Sequence, residues 1–254
     1  MLAHRRSGSG PPLILLHGIG LDRQCWEPLR PRLERERDVI AVDMPGFGES
    51  PVATQDVPAL AAAVEGLAGE LGLGRPHVAG NSLGGAVALE LGARGSASSV
   101  CALSPAGFAT DREKSFAEVS LRITRRMAET LDPHAAIAFG GPVRRTLLMS
   151  QIVRRPWRIS AEAAAQMNHA TASATGFAAT LPEIGDWRPV MPDCRTTVAW
   201  GQHDRLLITS RQAPRAARLL PGARHVRLAG CGHVPMWDDP EQVARVLLDA
   251  SAGG

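Results

Sequence analysis

The 254-residue sequence predicts an α/β fold, a doubly wound and mostly parallel sheet with a helical insertion that forms a lid. Short, continuous apolar runs alternate with stretches of helical period, which is typical of parallel strands that are buried on both faces. Between residues 108 and 187 the strand signal is absent, and apolar residues recur at helical spacing. We therefore expect a core from residues 1–107 and 188–254, with residues 108–187 as the lid.

The first half of the chain supplies an edge strand and four core strands. They are predicted near residues 2–6 and at the apolar runs 13–16, 39–42, 76–79 and 99–103. A helix is expected around residues 24–37. A second helix begins after Asp56, a plausible N-cap, because Val57, Leu60 and Val64 fall on one helical face.

The second half continues the same pattern after the insertion. Apolar runs at 196–200 and 225–228 predict two further strands, and a last helix follows Asp239 and Pro240, which suit the N-cap and the first helical position. Inside the insertion, helices are predicted near residues 116–131, 135–153 and 161–174. The first of these carries apolar residues at helical spacing: Phe116, Val119, Ile123, Met127 and Leu131.

Composition narrows the possible partners and location. The formal charge is +3, and 27 of the 28 basic residues are arginines without a long basic block, so no nucleic-acid partner is expected. The four cysteines are widely separated, which indicates reduced thiols in a cytoplasmic protein. No apolar run reaches the length of a membrane span. Nothing in the pattern specifies an oligomeric state.

The pentapeptide Gly80-Asn81-Ser82-Leu83-Gly84 lies where an apolar strand stops and a helix of small residues starts. A serine on so sharp a turn needs a strained backbone, and flanking glycines let strand and helix approach closely. The free N–H groups at the start of the helix would point to the place where an oxyanion forms on an attacked carbonyl. This context predicts a nucleophilic serine.

Two further residues follow apolar strands. Asp204 comes after the strand predicted at 196–200, and His233 comes after the one at 225–228. Because the carboxyl ends of parallel strands meet at one edge of a sheet, both residues are expected beside Ser82. Serine needs a base to take its proton, and that base needs an acid to orient it. Asp238 and Asp239 are nearer to His233 in sequence, but neither follows a strand, and Asp239 suits a helix cap.

Taken together, these motifs resemble the α/β-hydrolase superfamily over nearly the whole chain. Residues His17-Gly18-Ile19-Gly20 resemble its oxyanion loop, Asp43 to Ser50 its Asp-x-Pro-Gly-x-Gly-x-Ser loop, and Gly80 to Gly84 its nucleophile elbow. Asp204 and His233 match its acid and base positions.

The resemblance implies the following roles. Ser82 attacks the substrate, His233 acts as general base and then as general acid, and Asp204 orients His233. The backbone N–H groups of Ile19 and Leu83 form the oxyanion hole. This chemistry needs no metal and no cofactor. A small-molecule, largely apolar substrate is expected to contact four residues, Gly18, Phe108, Trp157 and Val234, while most aromatic residues of the insertion pack within the lid.

Several reactions are compatible with this frame. Hydrolysis of an ester or related activated acyl bond through an acyl-enzyme is favoured. Carbon–carbon hydrolases of ring-cleavage products often have Asn before the serine, as Asn81 is here, but they usually have Trp where this chain has Val234. Ligand-binding or biosynthetic tailoring proteins share the frame as a third class. Eight arginines between Arg122 and Arg158 suit a solvated face, or else recognition of a carboxylate or of an acidic partner such as a carrier protein.

Overall fold

The fold is taken from a computed structural model, which describes residues 1–53 and 55–252. A seven-stranded sheet with the order β1-β3-β2-β4-β5-β6-β7 forms its centre. The strands are β1 (His4–Gly8), β2 (Pro12–Leu16), β3 (Asp38–Val42), β4 (His77–Asn81), β5 (Ser99–Leu103), β6 (Arg195–Gly201) and β7 (Arg224–Leu228). Only β1 is antiparallel, paired with β3 at the edge, so the prediction of a doubly wound, mostly parallel sheet is confirmed.

Ten α-helices surround the sheet within the described residues. They are α1 (Arg30–Leu33), α2 (Val57–Glu70), α3 (Leu83–Ala93), α4 (Asp111–Leu131), α5 (Ala135–Ala138), α6 (Pro142–Met149), α7 (Ala161–Ser173), α8 (Phe177–Asp186), α9 (Thr209–Leu219) and α10 (Pro240–Ala250). Short 3-10 helices span Arg23–Trp26, Asp132–His134, Pro156–Arg158 and Pro235–Trp237. Among the residues described, no helix combines the length and the apolar character needed to cross a membrane.

Both faces of the sheet carry an apolar layer, as the continuous apolar runs predict. In β2, Ile14 and Leu16 pack with α2, α3 and α9 on one side, whereas Leu13 and Leu15 pack with α1 and α10 on the other. Successive side chains of a strand point to opposite faces, so a strand covered on both sides has no polar alternation.

The ends of the helices follow local chemistry. Asp56 accepts a hydrogen bond from the Ala59 N–H at 2.7 Å, and Asp239 accepts one from the Gln242 N–H at 2.9 Å, so both predicted caps are confirmed. The single helix predicted at 24–37 is wrong. A 3-10 helix and the four-residue α1 replace it, because Pro28 and Pro31 cannot donate backbone hydrogen bonds.

The insertion between β5 and β6 contains only helices among its described elements. The helix predicted at 135–153 is divided into α5 and α6, and the break falls at Gly140, Gly141 and Pro142. α8 belongs to the same apolar layer as the sheet, through Phe177 and Leu181. The separation of a lid at 108–187 from a core therefore stays a prediction.

Two helical glycines give opposite predictions for substitution by alanine. A Cβ on Gly84 would lie 2.2 Å from the Leu16 carbonyl oxygen, whereas a Cβ on Gly66 would meet nothing within 4 Å. We expect Gly66→Ala to raise the free energy of unfolding by about 0.5–1 kcal/mol through reduced backbone entropy. Gly84→Ala should lower it by about 3 kcal/mol or more, because a fixed backbone atom must move. Urea unfolding of both variants tests this, and equal effects would contradict it.

Candidate active site

Ser82 sits on a strained turn between β4 and α3. Its backbone has φ 57° and ψ −114°, a region that residues with a side chain rarely adopt. A Cβ on Gly80 would lie 2.0 Å from the Gly84 carbonyl oxygen, so only glycine permits so close an approach of strand and helix. Ser82 is 7% exposed, at the carboxyl edge of the sheet. The local geometry is that expected for a nucleophile elbow.

His233 and Asp204 form a buried pair on the loops after β7 and β6. His233 Nδ1 lies 2.7 Å from Asp204 Oδ2, and the side chains are 4% and 0% exposed. The other carboxylate oxygen of Asp204 accepts hydrogen bonds from the N–H groups of Leu206 and Leu207, at 2.9 and 2.8 Å. In the neutral tautomer whose Nδ1–H donates to this carboxylate, Nε2 is the acceptor nitrogen.

Asn81 ties the serine turn to the histidine loop. Its side-chain Nδ2 donates to the Leu103 carbonyl at 3.1 Å and to the His233 carbonyl at 2.9 Å. Its Oδ1 is buried and has no hydrogen-bond partner within the described residues. Asn81, Ser82 and His233 line one small cavity of about 40 Å³. From the sequence, Asn81 is notable only because carbon–carbon hydrolases often have Asn before the serine. Its bridging role depends on loops that are far apart in the chain.

Asp238 accepts hydrogen bonds from backbone N–H groups and does not contact the imidazole as Asp204 does. It is 3% exposed and accepts backbone hydrogen bonds from Gly232 at 2.7 Å, from Arg154 at 3.0 Å and from Arg155 at 2.7 Å. Burial raises the pKa of the Asp238 carboxyl, and these hydrogen bonds partly offset the rise. Asp238 thus joins the insertion to the histidine loop, and Asp239 caps α10. Among these three carboxylates, Asp204 is the one that contacts the imidazole.

His17 holds the loop that follows β2. Its Nδ1 lies 2.8 Å from the Gly18 carbonyl oxygen, and its Nε2 accepts a hydrogen bond from the Met44 N–H at 3.0 Å. Burial lowers the pKa of His17, so the ring is neutral near pH 7. In the part of the chain that the structure describes, the N–H groups of Ile19 and Leu83 donate no hydrogen bond. The loop after β2 and the start of α3 therefore each offer one N–H donor without a partner among the described residues.

A larger cavity, of about 410 Å³, opens from Ser82 between α4, α8 and α9. It shares Ile19, Ser82, Leu121 and Leu206 with the small cavity. Leu181, Leu207 and Ile184 contribute apolar walls, and Lys114, the single lysine, lies among the lining residues with Asp111, Glu118 and Asp186.

Gln212 of α9 also lines the larger cavity. It is 1% exposed, and its Oε1 is buried without a hydrogen-bond partner in the described chain. Sequence reasoning missed Gln212, since nothing distinguishes it from a solvent-facing glutamine on a polar helix. Only its burial against the cavity identifies it.

The four expected substrate contacts separate into two groups. Gly18 and Val234 line the small cavity with Ser82. Phe108 instead packs edge-on against Trp200 in the core, with ring centroids 6.1 Å apart, and Trp157 is 48% exposed on a 3-10 helix of the insertion. Neither aromatic residue lines a cavity that contains Ser82.

The arginines of the insertion do not enter these cavities either. Arg122 pairs with Glu118 and Arg125 with Glu129, while Arg145 donates to the Phe139 carbonyl at 2.6 Å. None of the eight arginines lines the two cavities that contain Ser82. Among the described residues, no group of three or more His, Cys, Asp or Glu side chains is arranged to hold a metal ion.

Comparison with known proteins places this geometry in a family. The alpha/beta hydrolase family model matches residues 13–246. The chain is 31% identical over 243 residues to the dihydrolipoyllysine-residue acetyltransferase component of the acetoin cleaving system of Pseudomonas putida, covering 94% of this chain but only 63% of that protein. It is 30% identical over 266 residues to the pimeloyl-[acyl-carrier protein] methyl ester esterase of Aromatoleum aromaticum, covering 96% and 99%.

Solved structures agree with the sequence comparison. A thermophilic esterase from Thermogutta terrifontis superposes with a TM-score of 0.75 at 26% identity, over 98% of this chain and 92% of that one. The family match runs from β2 into the last helix and contains the serine turn and both partner loops, while β1 lies outside it. The chain therefore belongs to the alpha/beta hydrolase family.

Proposed function

We propose that this protein is a serine hydrolase that cleaves an ester or related activated acyl bond of a small, largely apolar substrate through an acyl-enzyme. The observation that carries the proposal is the 2.7 Å contact between His233 Nδ1 and Asp204, which leaves Nε2 of His233 as the acceptor nitrogen. His233 and Ser82 line the same small cavity. The Aromatoleum relative is by name a methyl ester esterase, which supports an ester as the substrate.

In this mechanism Ser82 Oγ attacks the carbonyl carbon while His233 Nε2 takes the hydroxyl proton. The tetrahedral intermediate collapses, its C–O bond breaks, and the leaving alcohol receives that proton from His233. Water then attacks the acyl-enzyme with His233 again as base, which releases the acid and restores the Ser82 hydroxyl. Asp204 stabilises the imidazolium that forms in both steps.

The N–H groups of Ile19 and Leu83 are the proposed oxyanion donors. Neither donates a hydrogen bond to a described residue, so both are available to a developing negative charge. Leu83 is the first residue of α3, whose dipole adds positive potential at the same point. One such donor is worth about 3 kcal/mol in the activation barrier. The position of Ile19 depends on His17, which is hydrogen-bonded at both ring nitrogens.

The larger cavity supports the proposed substrate class. Its volume of about 410 Å³ suits a small ligand, and its walls are mostly apolar. Among its lining residues Asp111, Glu118 and Asp186 outnumber Lys114, so a neutral substrate is favoured over an anionic one. The unpartnered Oε1 of Gln212 favours a substrate that carries one hydrogen-bond donor, such as a hydroxyl, along its apolar part.

Carbon–carbon bond hydrolysis is the second candidate, and one observation favours it. Asn81 Oδ1 is unpartnered beside Ser82, where it could accept a hydrogen bond from the hydroxyl of a hydrated ketone. A panel of p-nitrophenyl esters of graded chain length, assayed beside a vinylogous diketone, separates the two reactions. Turnover of the diketone with negligible ester hydrolysis would favour the second candidate.

Ser82→Ala should abolish labelling by a fluorophosphonate probe and lower kcat by about 10⁴-fold or more, because the nucleophile is lost. Ser104→Ala is the matched control. Ser104 follows the neighbouring strand, also has positive φ, and its Oγ accepts from the Gly201 N–H at 3.3 Å. It should keep full labelling.

Wild-type protein that the probe does not label would contradict an activated serine. That outcome would instead favour the ligand-binding or tailoring class, because a binding protein on this fold needs no activated nucleophile.

Gln212→Leu should raise the free energy of unfolding by about 1 kcal/mol, because it removes a buried amide oxygen that has no partner among the described residues. The same variant should hydrolyse esters of hydroxylated acids about tenfold more slowly relative to plain alkyl esters, since a lost hydrogen bond is worth about this much. Gln242→Leu is the control. The Gln242 side chain accepts a hydrogen bond from the N–H of Ala229 and donates one to its carbonyl. Gln242→Leu should therefore lower the free energy of unfolding. Equal destabilisation of both variants would contradict the role of Gln212.

His17 makes stability depend on pH in a defined direction. Its pKa in the folded protein is lowered by burial, so the unfolded chain binds a proton first as the pH falls below about 6.5, and stability is lost from there downward. His17→Gln can still accept from Met44 N–H but does not titrate. Urea unfolding at pH 7 and pH 5 should therefore show a smaller acid-induced loss in the variant, by up to about 1.4 kcal/mol per pH unit. An unchanged loss would contradict burial of a neutral ring.

A further inference from the structure

The outer side of α4 presents a row of large apolar side chains to solvent. Phe116, Val119, Ile123 and Met127 are 50%, 58%, 53% and 44% exposed, although their helical spacing resembles that of a core-facing stripe. Residues three and four apart lie on one side of a helix, so the four form a continuous row. The expectation that Phe116 packs inside the lid is thus not met, because the opposite side of α4 faces the sheet edge.

This exposure is concentrated in the insertion. Eight of the twelve large apolar residues that are exposed among the described residues lie there, including Ile137 of α5 and Val143 and Leu147 of α6. α6 lies beside α4, since Gln151 donates to Ser120, and Met127 and Leu148 line a common cavity. Single exposed apolar residues are ordinary, whereas an extended apolar patch marks an interaction surface.

The same side of α4 is cationic. Arg112 lies one turn before Phe116, Arg126 lies three residues after Ile123, and neither has a carboxylate partner within the described chain. The positions that share this side, 112, 116, 119, 123, 126, 127 and 130, hold no carboxylate. Glu118 and Glu129 belong to the adjacent side, where they pair with Arg122 and Arg125. We call residues 112, 116, 119, 123, 126 and 127 the α4 outer face.

We propose that the α4 outer face docks on an anionic lipid surface. A helix that lies in a membrane interface buries aliphatic and aromatic side chains at the acyl boundary and places arginines among the headgroup phosphates. A second copy of this chain fits less well, because a two-fold contact centred on the row would bring Arg112 of one copy towards Arg126 of the other. A soluble acidic protein would match the arginines but leave much of the apolar row without complementary surface.

Docking in this orientation has a consequence for the cavity beside Ser82. Leu121 and Lys114 of α4 line that cavity from the side opposite to the α4 outer face. The cavity would then lie about one helix diameter, roughly 10 Å, from the lipid surface. The docking itself does not depend on the proposed hydrolase activity, since it uses none of the residues at Ser82.

The test is co-sedimentation of the full chain with phosphatidylcholine vesicles that contain or lack phosphatidylglycerol. Wild-type protein should bind the anionic vesicles, and added salt should weaken the binding. The pairs Val119→Ser/Ile123→Ser and Arg112→Gln/Arg126→Gln should each lower the partition coefficient by about tenfold or more. Val190→Ser/Leu219→Ser is the control, because both residues are similarly exposed but lie outside the insertion. This pair should bind like the wild type.

Three results would overturn the proposal. They are absence of binding to anionic vesicles, equal binding to both kinds of vesicle, and a dimer in light scattering that Val119→Ser/Ile123→Ser abolishes. Capture of an acidic carrier protein through Arg112 and Arg126, without vesicle binding, would overturn it as well. Fluorophosphonate labelling of Ser82 in the same variants should be unchanged, so a failure of docking and a failure of the proposed function are distinguishable.

Discussion

The close contact between the end of β4 and the start of α3 is the constraint on which the rest of the site depends. There is no room for a Cβ at Gly80 or Gly84, and Ser82 between them adopts a positive φ. Strain of this kind costs on the order of 1–3 kcal/mol and persists only where the surroundings over-determine it. Here the surroundings are β2, whose carbonyl groups face Gly84, and β5, whose Leu103 carbonyl accepts from the Ser82 N–H at 2.9 Å.

Buried polar groups then connect separate loops to this turn. Asn81 reaches the histidine loop, His17 joins the loop after β2 to the one after β3, and Asp238 joins the histidine loop to the insertion. Each group is almost fully buried, so losing a partner would leave an unsatisfied donor or acceptor at a cost of about 1–3 kcal/mol. The convergence of the loops is therefore specified by a few hydrogen bonds, and apolar packing supplies the frame.

The two sides of α4 differ in their chemistry and surroundings. One side contributes walls to the cavity beside Ser82, and the other is apolar, cationic and uncovered within the described residues. A helix with this arrangement cannot be stabilised by core packing alone. Its capping box at Thr110 and Glu113, and the ion pair of Glu113 with Arg215 of α9, hold its first turn against the rest of the fold.

The sequence by itself determined the fold class, the order of the strands along the chain, the serine turn and the loops that carry Asp204 and His233, because these follow from local periodicity, glycine sterics and the common edge of parallel strands. It also determined the caps at Asp56 and Asp239. The sequence also favoured Asp204 over Asp238 and Asp239 as the partner of His233, and the structure shows that contact. Tertiary structure alone decided that Phe108 and Trp157 lie away from the cavities. It likewise decided that Gln212 is buried without a partner and that the apolar row of α4 faces outward. Helical periodicity predicts that one face of a helix is apolar, but it does not predict whether that face packs in the core or lies in solvent.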